Sequence, residues 1–252
     1  MKLPFLLGIT LFLAASCGQN EKIVHSEKLV AAQQIDTIPE PLPQLKLRKD
    51  TALSYSALKK EIKTTKAGLK TQSLPLDSLA HLFEQYLIDR IIPYWEQTPW
   101  SFEGHTATPG EGSIACGYFV STTLRDLGIN LNRYHLAQQG PENEAKSLAL
   151  DAPILRISEA NNQAKIDTVT NRLEAGVYFI GFNANHVGYL LKRNGTVYLI
   201  HANYAGLNGV EAENIAESTV FSGFSALIIV PLSNNEALLE AWVNDMAIEI
   251  YR

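Results

Sequence analysis

The chain has 252 residues, 46 % hydrophobic and 19 % charged, which is enough apolar material for a full globular core and too much for a disordered chain. Its formal net charge is −5, or −6 without Lys2 (20 Lys and Arg against 26 Asp and Glu), and no basic stripe stands out, so nucleic acid is not an expected partner. The absence of a tandem CxxC or an HExxH pair argues against a dedicated metal site, and neither a metal nor another cofactor is expected.

The opening MKLPFLLGITLFLAASC joins a basic start at Lys2 to an apolar run from Leu3 to Leu13 and to the small residues Ala14, Ala15 and Ser16, the organisation of a secretion signal. A helix needs roughly 20 apolar residues to span a membrane, so this run is too short to do so. Small residues directly before Cys17 resemble the lipobox of bacterial lipoproteins. That resemblance implies a signal peptide at residues 1–16, lipid on Cys17 and a chain anchored through it at the cell envelope; the alternative is an ordinary signal peptide with an incidental cysteine. Gly18 stands where an aspartate holds some lipoproteins at the inner membrane, which points to the outer membrane, facing the periplasm. Cys17 and Cys116 are the only cysteines. With lipid on Cys17, Cys116 is a free thiol in an oxidising compartment, where unpaired cysteines are usually kept for their chemistry. The plain alternative is a buried cysteine acting as a small hydrophobe.

Residues 17–73 are polar, include PEPLP at 39–43 and KKEIKTTK, and read as a tether with a short helix around 53–65. The folded domain is placed at 74–252. Across residues 77–92, Leu79, Leu82, Phe83, Tyr86, Leu87 and Ile91 recur at spacings of three and four, which predicts an amphipathic helix closed by Pro93, with His81 solvated off the apolar stripe. A loop rich in Gly, Pro, Thr and Ser leads to CGYFVSTTLRDLGI. There Phe119, Val120, Thr123, Leu124 and Leu127 share a face and Gly128 supplies the stop, so a helix begins at or just before Cys116. Residues 130–175 are less readable, with helices expected near 141–149 and 167–173. GVYFIGF, HVGYLLKR, TVYLIHAN and FSALIIVPL read as strands. A last helix, capped by Ser233 or Asn234, is expected to bury Leu238, Leu239, Trp242, Val243 and Met246. A helix carrying the cysteine followed by an antiparallel sheet is an α+β pattern.

A thiolate attacks carbonyls, and the first turn of a helix lowers a cysteine pKa through its free N–H groups, so Cys116 is expected to ionise readily. Gly117 and the Gly-rich run before Cys116 let a substrate backbone approach, and the N–H groups of Cys116 and Gly117 are candidate oxyanion donors. The strands HVGYLLKR and TVYLIHAN meet at Asn194-Gly195, a dipeptide favoured in type I′ turns. Pairing Arg193 with Thr196 sets His201 opposite Gly188 and His186 opposite Asn203. The two histidines then share a face as diagonal neighbours roughly 7–8 Å apart at the backbone, and a one-residue slip would part them. Either histidine alone would more often be structural or incidental. With a helix-starting thiol they read as a Cys–His–His site, Asn203, Asn185 and Asn183 being alternatives for the orienting role.

These residues resemble the NlpC/P60 cysteine peptidases of bacterial cell-wall remodelling. TPWSFEG, IACGYFV and the helix to Gly128 echo that family's PYxWGG loop, DCSGFV and following helix; AGVYFIGF, HVGYLLKRNG and LIHAN echo its GDLVFF, HVGIYLG and final IHA. The likeness runs from about Thr98 to Asn203, with residues 130–170 unmatched. It implies a papain-like α+β fold, Cys116 as nucleophile, His186 as general base, His201 as the group orienting it, and hydrolysis of peptide bonds in peptidoglycan stem peptides. Trp100 takes the place of the loop tyrosine, either stacking on substrate or closing the core, and His105 and Ser113 share its loop. Ala115 and Gly117 flank the cysteine where the family keeps an acidic residue and a serine, and that neighbourhood helps recognise the stem peptide's amino end. The competing expectations are a catalytically idle domain binding cell-wall material or a partner lipoprotein, and a hydrolase of lipid or amide acyl groups.

Overall fold

The computed structural model describes residues 41–183, 185–205 and 209–252, all within the unit Pro41–Arg252. The expected leader, Cys17 and the first part of the tether lie outside the described residues. The elements in chain order are α1 (Tyr55–Leu69), α2 (Leu76–Glu84), a π-helical stretch (Gln85–Ile91), α3 (Ile92–Trp95), α4 (Cys116–Asp126), α5 (Arg133–Ala137), α6 (Pro141–Ala149), β1 (Leu155–Ser158), α7 (Asn162–Arg172), β2 (Gly176–Phe182), β3 (His186–Arg193), β4 (Thr196–Ala202), β5 (Val210–Asn214), α8 (Thr219–Gly223), β6 (Ala226–Pro231) and α9 (Glu236–Asn244). The strands form one antiparallel sheet in the order β1-β6-β2-β3-β4-β5, so the protein is α+β.

The central strands read as unbroken apolar runs because helices cover both faces of the sheet. Along β2, Val177 and Phe179 enter a core shared with Leu58 of α1, Phe119 and Leu124 of α4, Leu148 of α6 and Trp242 of α9. Tyr178, Ile180 and Phe182 alternate with them into a second core shared with Val169 of α7 and Phe221 of α8. With every β2 position buried, period-two polarity has nothing to mark.

The boundary at residue 74 is displaced. α1 buries Leu58, Ile62 and Leu69 in the first core, and apolar side chains so placed contribute roughly 1.5–3 kcal/mol each. Residues 41–73 therefore belong to the folded body and not to a tether. Trp95 at the end of α3 donates from Nε1 to the Tyr55 hydroxyl at 2.9 Å, and that hydroxyl donates to Asp126 at 2.7 Å, which pins α1 to the C-terminal end of α4. Pro93 does not close the second helix. The turns widen before it, with the Ile92 N–H reaching Leu87 O, and Pro93 then sits in the first turn of α3, where a missing N–H costs nothing. The last helix is capped by Asn235, one residue beyond Asn234 and two beyond Ser233, and ends before Met246, which is half exposed.

Candidate active site

Cys116 is the first residue of α4, the helix start read from the sequence. The loop before it is fixed by backbone bonds from Ile114 N to Pro99 O and from Ala115 N to Gly104 O, each 2.8 Å. Ala115 occupies the cap position with no capping side chain, so the first-turn N–H groups keep their capacity for a ligand. Buried Arg133 braces the far side of the loop, donating to the carbonyls of Thr106 and His105 and to the Thr122 hydroxyl. From the sheet, Tyr189 of β3 bonds Val120 O at 2.9 Å and Thr123 Oγ1 at 2.7 Å, which sets α4 against the strand that carries His186.

The β3–β4 hairpin has the expected register: Arg193 pairs with Thr196 and Tyr189 with Ile200, and Asn194 and Gly195 both take positive φ, as a type I′ turn requires. His186 and His201 meet on one face with Nε2 of the first 2.7 Å from Nδ1 of the second. Gly188 makes this possible, since a Cβ there would lie 2.8 Å from Ile200 O and 2.9 Å from the His201 Cβ. His201 Nε2 lies 3.1 Å from Glu213 Oε1 on β5, and the same oxygen accepts from Ser218 at 2.5 Å.

These contacts fix the tautomers. A carboxylate only accepts, so His201 carries its proton on Nε2 and presents a bare Nδ1. His186 must then donate from Nε2, which leaves its own Nδ1 as the basic nitrogen. The Cys116 sulfur sits against the backbone on either side of His186: its S–H donates to Asn185 O at 3.8 Å, and the Val187 N–H points back at it.

Electrostatics separates the pair. Burial pushes the Cys116 thiol up to about 11; the backbone N–H groups of Val187, Gly117 and Cys116 itself pull down, and the Glu144 carboxyl adds to the rise. The expectation that the helix start makes Cys116 a ready thiolate is therefore corrected, because the hydration lost in the cleft outweighs what these amides return. Burial, reinforced by His201, drives His186 down to about 3. Burial also raises Glu213, but the hydrogen bonds from His201 and Ser218 together outweigh it and hold this carboxylate below its ordinary range. At neutral pH Cys116 therefore rests as the thiol, His186 as a neutral imidazole and Glu213 as a carboxylate.

Cys116, Gly117, His186, Trp100 and Tyr204 line a cleft of about 630 Å³. Tyr204 packs its ring 5.2 Å from His186 and 6.0 Å from Trp100, making an aromatic wall. Gly117 has a packing role as well, since a Cβ on it would meet Ala137 O at 2.8 Å. His201 makes the contact to the His186 ring; of the asparagines, Asn203 donates to Glu211 and accepts from Ala205 N, Asn183 lines another groove beside β6, and Asn185 lines this cleft. His81 is exposed, as expected. Ser113 bonds Ser101 at 2.7 Å and His105 is exposed beside Tyr118 and Tyr134, so both brace the loop.

His201, Glu211 and Glu213 bring donor atoms within 4.8 Å of one another. Hydrogen bonds engage all three: His201 with Glu213, Glu213 with Ser218, and Glu211 with Asn203. Glu213, Tyr204, Glu144 and the spacing role of Gly188 did not emerge from the sequence. The Gly188 role alone had a signal, because the hairpin register already set that glycine opposite His201. No family model and no curated protein matches the chain.

Proposed function

We propose that the protein is a cysteine hydrolase of NlpC/P60 type with a papain-like fold, anchored by lipid on Cys17 at the cell envelope, that cleaves peptide bonds in peptidoglycan stem peptides. One observation carries this reading: Cys116 at the uncapped start of α4 and His186, which the His201–Glu213 chain engages through Nε2, line the same cleft, with the Cys116 sulfur seated against the backbone on either side of His186. In the reaction the Cys116 proton passes to His186 Nδ1 as the sulfur bonds the scissile carbonyl carbon, with the N–H groups of Cys116 and Gly117 facing the developing oxyanion. The C–N bond breaks, His186 returns the proton to the leaving amine, and a thioester remains. Water then attacks with His186 again as base, releasing the carboxylate product and the thiol. Glu213, held by the Ser218 hydroxyl, is the carboxylate that balances the transient imidazolium through His201.

A second reading, an idle domain that binds cell-wall material or a partner lipoprotein, is favoured by the thiol's rise to about 11. Mass spectrometry of muropeptides released from isolated peptidoglycan separates them. The enzyme reading expects new cleaved stems with the wild type and none with Cys116→Ala or His186→Ala, both remaining folded. Equal release by either variant overturns it. No release by the wild type, with peptidoglycan retained equally by wild type and Cys116→Ala, establishes the binder in its place.

A further inference from the structure

The cleft holds a buried acid that the hydrolytic chemistry does not use. Glu144 of α6 lines it and is 2 % exposed, and its Oε2 finds no hydrogen-bond partner among the described residues. Its Oε1 lies 3.3 Å from where a Cβ on Gly117 would stand, which places the carboxyl beside the nucleophile's own turn. The basic residues of this neighbourhood are committed elsewhere: Lys146 and Arg156 both pair with the next acid along α6, Glu142, at 3.5 and 2.6 Å. Burial is accordingly the cause of the strong rise in the Glu144 pKa, and no opposing charge among the described residues offsets it. Trp100 Nε1, in the same cleft, is also buried without a partner among the described residues. Enclosed polar groups left unpaired are costly, and they persist where a ligand completes them.

We propose that Glu144 is a recognition site for a primary ammonium group on the ligand that occupies the Cys116 cleft, with Trp100 Nε1 donating to an oxygen of the same ligand. A compact, threefold donor answers a buried acceptor, and transfer of the Glu144 proton to solvent on binding gives the ion pair. The site deepens the reading of this cleft as a substrate site and rests on it, but its test involves no hydrolysis.

The probes are three methanethiosulfonates bearing 2-aminoethyl, 2-hydroxyethyl and 2-sulfonatoethyl groups. Each forms a disulfide with Cys116 as the thiol gives up its proton and methanesulfinate leaves. Labelling of Cys116 in the full chain is followed by peptide mass spectrometry, and each rate is divided by that of the same reagent with 2-mercaptoethanol. The wild type is expected to favour the aminoethyl reagent over the hydroxyethyl one by about tenfold or more, with the sulfonate slowest. In Glu144→Gln, close in shape but uncharged, the preference falls to about one. Should that variant not fold, Glu144→Leu, which removes the unpaired group, takes its place. A wild-type ratio near one, or a preference that survives the substitution, overturns the assignment. Cation preference without muropeptide release keeps this site and discards the peptidoglycan reading, whereas release without cation preference discards this site alone.

Discussion

Protonating His186 should unfold the protein more readily, and the effect should be traceable to that one ring. His186 is 2 % exposed, and burial together with His201 lowers its pKa from 6.5 to about 3. The unfolded chain binds this proton around pH 6.5 while the folded chain refuses it, so the stabilisation from a neutral buried ring is complete above 6.5 and is lost as the pH falls toward 3. A displacement of that size corresponds to roughly 4–5 kcal/mol over the full window, of which roughly 3 kcal/mol falls between pH 7 and pH 4. Urea unfolding followed by tryptophan fluorescence at both pH values measures it, with His186→Gln as reference because the amide still donates to His201 without titrating. The wild type should lose about 3 kcal/mol more than the variant on acidification. Parallel losses would refute the assignment of a buried, neutral imidazole.

Two further substitutions probe the relay. Glu213→Gln keeps an acceptor for His201 but removes the charge, exchanging a charge-assisted bond for a neutral one; muropeptide turnover should fall about 5- to 30-fold in kcat with KM nearly unchanged, and an unaltered kcat would exclude Glu213 from the relay. Gly188→Ala drives a Cβ to 2.8 Å from Ile200 O and 2.9 Å from the His201 Cβ, so thermal unfolding should register a loss of about 1–3 kcal/mol and turnover should drop by about 100-fold as the 2.7 Å bond between the histidines opens.

What could be read in advance depended on local pattern. The start of α4 at Cys116 and the hairpin register follow from apolar spacing and from Asn194-Gly195, and the register alone was enough to bring His186 and His201 together. Glu213 was out of reach because β5, VEAEN, carries little apolar signal and joins the sheet through pairing with β4, so only the assembled sheet sets its carboxylate under His201. α1 looked like tether because its lysines dominate its composition, although Leu58, Ile62 and Leu69 sit at helical spacing and all enter the core. Glu144 lies in the stretch 130–175, where the pattern was weakest, and it reaches the cleft only where residues of α4, α5 and α6 line it together.

The protonation state of the site shows why local motif and assembled environment disagree. A cysteine at a helix start with no capping side chain has everything nearby that lowers a thiol pKa, and the three backbone N–H groups around Cys116 do act in that direction. They lose to enclosure in the cleft, where burial is the largest cause of the shift at both Cys116 and His186. One group is pushed up to about 11 and the other down to about 3, so an ion pair between them is disfavoured from both ends before anything binds. In the proposed reaction, proton transfer coincides with bond formation to a carbonyl, when the sulfur's charge passes to an oxyanion facing the α4 amides and the imidazolium is balanced through His201 by the Glu213 carboxylate, already ionised. On the function proposed above, in which Cys116 is a nucleophile in an oxidising compartment, a thiol held neutral at rest withholds the thiolate that oxidants attack until a substrate fills the cleft.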